Sequence, residues 1–265
     1  MGTIARYTEP SPMSIQVAPL SSSSVALMRE AHVVFARSLG FAVAATFLLV
    51  LGGAVQTLAA MAGLILFTGL VVASARRLAG NHPHPRLGAA NRITLARAGV
   101  ACLIAGRALD PAPLGMPERW VLVALAGAAL LLDGTDGWAA RRQGLASAFG
   151  ARFDMETDAF AIAVLAITSV KVGAVPCWVL AIGAMRYFSL GAGRLFPVLR
   201  RPLPARPFAD RRRKTIAVVQ SLALLYALAP ATPPGWAAAT CAAALGLLVY
   251  SFAADIVMQQ RAPCG

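Results

Sequence analysis

The chain has 265 residues, of which 58% are hydrophobic and 13% charged, and its formal net charge is +13. A soluble domain usually carries about 25% charged residues, so this composition excludes an ordinary soluble fold and favours a protein with many membrane-spanning helices. The basic residues lie in short clusters between apolar runs and have no aromatic residues interleaved with them. Such clusters disfavour a nucleic-acid-binding protein and are typical of loops beside membrane spans.

The predicted elements are helices throughout. Residues 1–37 are rich in Ser and Pro and lack the apolar core of a signal peptide, which predicts a flexible cytosolic tail with at most a helical turn near Val25–Arg37. Residues 38–78 contain two apolar runs, which predict an extra N-terminal pair of transmembrane helices. Pro-containing linkers separate the predicted spans, which lie at about 39–56, 58–75, 91–109, 119–142, 147–169, 174–196, 215–229 and 235–257. The predicted fold is therefore an all-α polytopic membrane protein, with a six-helix catalytic domain at 88–258 after the extra pair.

The distribution of basic residues supports an even number of spans. With eight spans and a cytosolic N-terminus, the outer side keeps essentially Arg119 and Lys171, and the other loop arginines fall on the cytosolic side. This asymmetry follows the positive-inside rule. We therefore expect a multi-pass protein of the plasma (inner) membrane, with both termini and the acidic segment 133–158 facing the cytosol.

Acidic residues are concentrated in two predicted spans, although a carboxylate near the bilayer centre costs on the order of 3 kcal/mol. Five of the eleven acidic residues lie between Asp133 and Asp158. Asp133 and Asp136 are spaced i, i+3, and Asp154 and Asp158 are spaced i, i+4, so each pair shares one helical face. A short turn joins the two helices as antiparallel neighbours. Counting outward from it places Asp136 level with Asp154, and Asp133 level with Asp158.

Four facing carboxylates cannot all remain ionised without cations between them. Hard oxygen ligands of this number suit one or two Mg²⁺ or Mn²⁺ ions. Small residues on the same helical faces let a bulky phosphorylated substrate approach, and an arginine lies nearby. The pattern therefore indicates phosphoryl transfer at a pyrophosphate, in a membrane cavity open to the cytosol. Ion pairs with neighbouring arginines are the simpler structural alternative.

Two further polar features are predicted to be structural. Glu156 lies about 200° around its helix from Asp154, so it points away from the cluster, and we expect a local salt bridge with Arg152. His82 and His84 lie in a polar linker without a third ligand nearby, so no metal site is predicted there.

The residues around the aspartates resemble the signature of the CDP-alcohol phosphotransferase (CDP-alcohol phosphatidyltransferase) family. The signature is present as Asp133-x-x-Asp136-Gly137-x-x-Ala140-Arg141 and, after eight residues, Gly150-x-x-x-Asp154-x-x-x-Asp158. The preceding segment, Asn91-x-x-Thr94-x-x-Arg97, is similar to the family's first core helix. The resemblance covers roughly residues 88–257, and its eight specified positions within 26 residues make it very specific.

The resemblance implies a role for each matched residue. Asp133, Asp136 and Asp154 would bind metal, and Asp158 would complete the second metal site and act as the general base on the acceptor hydroxyl. The residues that would line the nucleotide pocket are Thr94, Gly137, Ala140, Arg141 and Gly150. The acceptor oxygen would attack the phosphorus that carries the lipid alcohol of a CDP-linked donor such as CDP-diacylglycerol, and CMP would leave. The resemblance also implies that the protein forms a homodimer and that it acts in phospholipid biosynthesis.

The acceptor alcohol stays open. Arg186 falls in the middle of a predicted span, where an unpaired charge is costly, and with Arg194 and Lys214 it forms a candidate pocket for an anionic acceptor such as glycerol 3-phosphate or inositol phosphate. Ala159 stands where the glycerophosphate transferases of the family have a lysine. Glycerol 3-phosphate is thus the first choice by the basic pocket alone, and serine, inositol and choline are alternatives.

Two other protein classes use intramembrane carboxylates. A Mg²⁺-dependent membrane prenyltransferase would show a DDxxD-like pattern on two separated helices, whereas these aspartates lie on adjacent helices. A non-enzymatic cation transporter would show broken helices or internal repeats, and this sequence has no repeat. Neither class accounts for the small residues and the arginine between the aspartates.

Overall fold

The computed structural model describes residues 22–53, 56–78, 82–84, 86–143, 145, 147–195 and 207–261, and every regular element in these ranges is a helix. The α-helices are α1 (Ser22–Leu51), α2 (Thr57–Leu78), α3 (Gly88–Leu109), α4 (Met116–Gln143), α5 (Ala148–Lys171), α6 (Leu180–Leu195), α7 (Pro207–Leu228) and α8 (Pro234–Arg261). A single 3-10 turn, Cys177–Val179, precedes α6. The all-α prediction is confirmed for these residues.

Two helices, α1 and α7, begin two or more turns earlier than the sequence predicts. Residues 22–37 belong to α1 and not to a flexible tail, because Leu27, Ala31 and Phe35 repeat at helical spacing and are buried against the rest of the fold. Helix α7 includes part of the basic loop predicted before residue 215. Its first turns are tied to α8 by Arg212 and Arg213, which both pair with Asp255.

Within the described residues, three helices are long and apolar enough to cross a membrane, at Val25–Leu48, Thr57–Leu78 and Pro234–Gln260. Large apolar side chains such as Phe41, Leu131 and Phe188 are more than two-thirds exposed, which suits contact with lipid and not with water. These features are those of a membrane protein. The count of eight spans and the division into six core and two extra helices stay predictions.

Helix α3 lies at the centre of the fold and contacts α1, α2, α4 and α5. Its buried face is made largely of small residues, which let the neighbouring helices approach closely. One apolar cluster joins α3 to the helices that follow it, and a second joins α3 and α5 to α1 and α2 through residues such as Phe67, Leu95 and Phe153. The N-terminal pair therefore shares the core of the fold.

Two glycines make a close contact between the backbones of α2 and α3. A Cβ atom on Gly106 would lie 2.9 Å from the carbonyl oxygen of Ala59 and 3.3 Å from the Cα of Gly63, and a Cβ on Gly63 would lie 2.8 Å from the carbonyl oxygen of Cys102. Real Cβ atoms essentially never approach another atom so closely, so each position requires glycine at this helix separation.

Polar groups fasten these two helices at the same end, one turn beyond the glycine contact. The buried Asp110 accepts hydrogen bonds from the backbone N–H groups of Gln56 (2.8 Å) and Ala112 (2.9 Å), and Lys171 donates to its carbonyl oxygen. Burial opposes ionisation of Asp110, but these N–H donors and the charge of Arg107 outweigh it and lower its pKa. The start of α2, the end of α3 and the end of α5 thus meet at one residue, Asp110.

We predict that Gly106→Ala destabilises the protein, because the added methyl group must push α2 away from α3 or distort the backbone. Such overpacking typically costs about 1–3 kcal/mol, and it would be measured as a lower midpoint of thermal unfolding in detergent. Gly127→Ala is the matched control, since nothing lies within 4 Å of its new Cβ atom. Equal unfolding midpoints for the two variants would contradict the close glycine contact.

Candidate active site

Three of the four predicted aspartates lie together in the structure. Asp133 on α4 and Asp154 and Asp158 on α5 are each partly buried and offer carboxylate oxygens that all lie within 4.8 Å of one another. Helix α3 packs against both α4 and α5, and this brings the carboxylates of the two helices together. The fourth, Asp136, lies in α4, but its side chain is outside the described residues.

The guanidinium group of Arg97 on α3 lies among these carboxylates. Its Nη2 is 2.7 Å from Asp133 Oδ1 and also contacts Asp158 Oδ1, and its Nη1 is 2.8 Å from Asp154 Oδ1. The Arg97 side chain is only 6% exposed. A buried charge of this kind is tolerated where several opposite charges and hydrogen bonds surround it. Three helices are therefore joined at one point by charge-assisted hydrogen bonds.

The donor set fits a hard divalent cation. Its carboxylate oxygens are the ligands that Mg²⁺ and Mn²⁺ prefer. Three ionised carboxylates against the single charge of Arg97 leave a formal charge of minus two on these four side chains, which one divalent ion neutralises. The ion pairs with Arg97 and a metal site are thus compatible, and together they account for acids inside an apolar bundle.

A cavity of about 330 Å³ opens beside the acidic cluster, between α3, α4, α5 and α7. The polar side chains in its lining are Arg97, Asp133, Asp154, Thr157, Asp158, Lys214 and Ser221. The rest of the lining is apolar and includes Leu165, which lies about 10 Å further along α5 than Asp158. The cavity can therefore receive a molecule that has a charged part and an apolar part.

The three candidate acceptor-binding residues do not come together as one described pocket. Lys214 lines the cavity with the aspartates. Arg186 lies outside the cavity lining, and its Nη2 donates to Glu156 Oε1 at 2.7 Å. The side chain of Arg194 is outside the described residues.

The predicted salt bridge between Glu156 and Arg152 is wrong. Glu156 points away from the acidic cluster as expected, but it pairs with Arg186 on the adjacent α6. Arg186 lies in an apolar helix and gains more from a carboxylate than Arg152, which is exposed.

Two residues of the predicted nucleotide pocket lie where α3 meets the start of α5. Thr94 is 2% exposed and its hydroxyl donates to the carbonyl oxygen of Ala90 at 3.1 Å. Gly150 lies against Asn91, because a Cβ atom there would be 2.9 Å from Asn91 Oδ1. Neither residue belongs to the cavity lining described above. The other predicted pocket residues, Gly137, Ala140 and Arg141, lie in α4, and their side chains are outside the described residues.

Sequence reasoning missed a hydrogen-bonded chain at the start of α5. The Ser147 hydroxyl oxygen accepts from the N–H of Gly150 at 3.1 Å and lies 2.8 Å from His82 Nδ1, while His82 Nε2 lies 2.7 Å from the carbonyl oxygen of Arg86. A carbonyl only accepts, so Nε2 carries the proton and, in the neutral ring, Nδ1 accepts from Ser147. The linker between α2 and α3 is thereby attached to the α5 N-terminus. Ser147 is a recognisable N-cap, but no sequence signal indicates His82.

Comparison with known proteins agrees with this site. Residues 87–250, more than half of the chain, match the family model described as CDP-alcohol phosphatidyltransferase. This range agrees with the predicted resemblance and contains Arg97 and all four predicted aspartates. Searches of curated proteins and of solved structures gave no match.

We predict that Mn²⁺ stabilises the wild-type protein against thermal unfolding and that Asp154→Asn removes most of this effect. A ligand present at 100 times its dissociation constant stabilises by about 2.7 kcal/mol, and the substitution takes away a charged ligand. Unfolding midpoints in detergent with and without Mn²⁺ would measure the difference. Glu156→Gln alters an acid on the same helix outside the cluster and should keep the effect; equal behaviour of the two variants would contradict the site.

We also predict that Ser147→Ala and His82→Ala each lower the unfolding midpoint. Loss of an N-cap side chain typically costs about 1 kcal/mol, and loss of His82 leaves the Ser147 hydroxyl without its acceptor. The double variant should lose less than the sum of the two, because the residues belong to one hydrogen-bonded chain. Strict additivity would mean that they act independently.

Proposed function

The chain belongs to the CDP-alcohol phosphatidyltransferase family, and on this basis we propose that it is a membrane enzyme that transfers a phosphoalcohol group from a CDP-linked lipid to an alcohol. The proposed donor is CDP-diacylglycerol, the first choice of acceptor is glycerol 3-phosphate, and CMP is released. The observation that carries the proposal is the convergence of Asp133, Asp154 and Asp158 on a partly apolar cavity.

In the proposed reaction, Asp158 accepts the proton of the acceptor hydroxyl. The oxygen so activated attacks the phosphorus that carries the lipid alcohol, a new P–O bond forms, and the bond from that phosphorus to the bridging oxygen breaks. CMP departs with the bridging oxygen. A divalent ion held by Asp133, Asp136, Asp154 and Asp158 would supply positive charge beside the pyrophosphate and favour this departure.

The surrounding residues position the reacting groups. Arg97 donates to Asp133, Asp154 and Asp158 and holds their carboxylates in a fixed arrangement, so little reorganisation is needed when the substrates bind. The apolar part of the cavity limits the access of water, which would otherwise compete with the acceptor alcohol. Positioning and charge are the main requirements of phosphoryl transfer.

Lys214 supports an anionic acceptor. It is the basic residue of α7 that lines the cavity, and a phosphate group is well matched to its ammonium group. Arg186 pairs with Glu156 and lies outside the cavity lining, so it adds no support to this proposal. The proposal of glycerol 3-phosphate or inositol phosphate therefore rests mainly on Lys214, whereas serine, inositol or choline would not require it.

The proposal predicts that purified protein with Mg²⁺ or Mn²⁺ and labelled CDP-diacylglycerol releases CMP when a suitable acceptor is added. Glycerol 3-phosphate, inositol phosphate, serine, inositol and choline form the panel. Asp158→Asn should lower kcat by about 10²–10⁴-fold, the usual contribution of a general base, while CMP binding persists.

Glu30→Gln is the control for this substitution, because Glu30 lies on α1, outside the cavity, in a surface pair with Arg92 that contributes little to stability. An Asp158→Asn variant as active as the control would remove the proposed base. A wild-type protein that releases no CMP with any acceptor of the panel would overturn the proposed function.

A further inference from the structure

Thr157 is a buried polar residue of the cavity that neither the family signature nor the proposed mechanism uses. Its side chain is 1% exposed, it lines the cavity, and no hydrogen-bond partner for its Oγ1 is found in the described part of the chain. Thr157 follows Asp154 by three residues and directly precedes Asp158, so all three lie on the cavity side of α5.

Other helical threonines of this chain satisfy their hydroxyl groups within the helix. Thr68, Thr94 and Thr168 donate to the carbonyl oxygen four residues earlier, at 2.8, 3.1 and 2.7 Å. This bond is a common choice for threonine, since one of its two usual helical rotamers makes it. Thr157 makes no such bond with Phe153. The Thr157 hydroxyl is therefore not satisfied by its own helix.

A buried hydroxyl without a partner destabilises a fold, and such groups in native structures call for a ligand, a water or a functional role. Ser169 and Gln220 also have buried polar atoms that find no partner among the described residues, but neither residue lines the cavity. Thr157 differs because a molecule in the cavity would lie beside it. Burial and position together thus indicate a hydroxyl that bonds with a substrate.

The cavity wall around Thr157 suits the acceptor better than the nucleotide. On α7, Lys214 offers a positive charge, and Ser221, whose hydroxyl donates to the carbonyl oxygen of Ala217 at 3.1 Å, offers an oxygen that accepts. Asp158, the proposed base, is the neighbour of Thr157 on α5. These groups match a small alcohol that carries further oxygen atoms and a negative charge.

We propose, building on the proposed function, that Thr157 binds the acceptor alcohol and holds its reacting hydroxyl beside Asp158. The Thr157 O–H donates to the acceptor oxygen. As that oxygen transfers its proton to Asp158 and gains negative charge, the bond becomes stronger, so it favours the transition state over the bound substrate. Thr157 thereby determines how acceptors are oriented, and a polyol phosphate is the class that fits the neighbouring groups.

The test compares Thr157→Val, which removes the hydroxyl and keeps the shape, with Thr157→Ser, which keeps the hydroxyl. Each is assayed for CMP release with CDP-diacylglycerol and the acceptor of the panel that the wild type uses best. We expect Thr157→Val to lower kcat/KM for the acceptor about tenfold, which is the effect of one hydrogen bond. The KM for CDP-diacylglycerol should stay within twofold, and Thr157→Ser should restore most of the activity.

Thr168→Val is the matched control, because it removes the same atoms from the same helix at a residue that is fully buried and outside the cavity. Its hydroxyl is hydrogen-bonded, so its loss should lower the unfolding midpoint and leave both kinetic constants unchanged. Thr157→Val should keep or raise the unfolding midpoint, since it removes a hydroxyl that has no partner.

A Thr157→Val variant with wild-type kinetics, or one with a raised KM for the donor alone, would overturn this role and leave the proposed function intact. The role would also be overturned if Thr157→Val lowered both the acceptor kcat/KM and the unfolding midpoint and Thr157→Ser did not restore activity. That result would indicate a packing defect. A wild-type protein without CMP release would overturn both proposals together.

Discussion

Arg97 carries a positive charge into the interior of the bundle, and its side chain is only 6% exposed. Removing such a charge from water costs several kcal/mol, which only well-placed opposite charges offset. Asp133, Asp154 and Asp158 provide that compensation, and none of them lies on the same helix as Arg97. Helices α3, α4 and α5 must therefore come together at the same level along the bundle axis. The same convergence places three carboxylates beside a cavity, so structural compensation and chemistry share one set of residues.

Close helix contacts make this convergence possible. Gly150 brings the start of α5 against the Asn91 side chain of α3, and a Cβ atom on Gly183 would lie 2.5 Å from the Cα of Ala163, so the backbones of α5 and α6 also lie close together. In a membrane, where burial of apolar surface between helices gains little, such contacts and buried hydrogen bonds supply much of the packing energy. Small residues thus determine which helices become neighbours, and the charged groups then determine how far each helix is shifted along the bundle axis relative to the others.

The N-terminal helix pair is connected to the site at several points. Phe67 of α2 belongs to the same apolar cluster as Phe149 and Phe153 of α5. The linker that follows α2 contacts the first turn of α5 through His82, and Gly63 of α2 lies against Gly106 of α3. Although the family match begins at residue 87, the helices before it help to hold α3 and α5 in place.

The sequence by itself determined the helical character of the chain, the family and the shared helical face of Asp154 and Asp158, because helical periodicity relates residues a few positions apart. It could not show that Arg97 joins the three acids or that Arg186 pairs with Glu156, since these contacts connect different helices. Nor could the sequence distinguish Thr157 from other threonines. Whether the Thr157 hydroxyl finds a hydrogen-bond partner among the described residues depends on the helices packed around it. Residue spacing determines which face of its helix a side chain occupies, whereas tertiary packing determines which groups of other helices that side chain contacts.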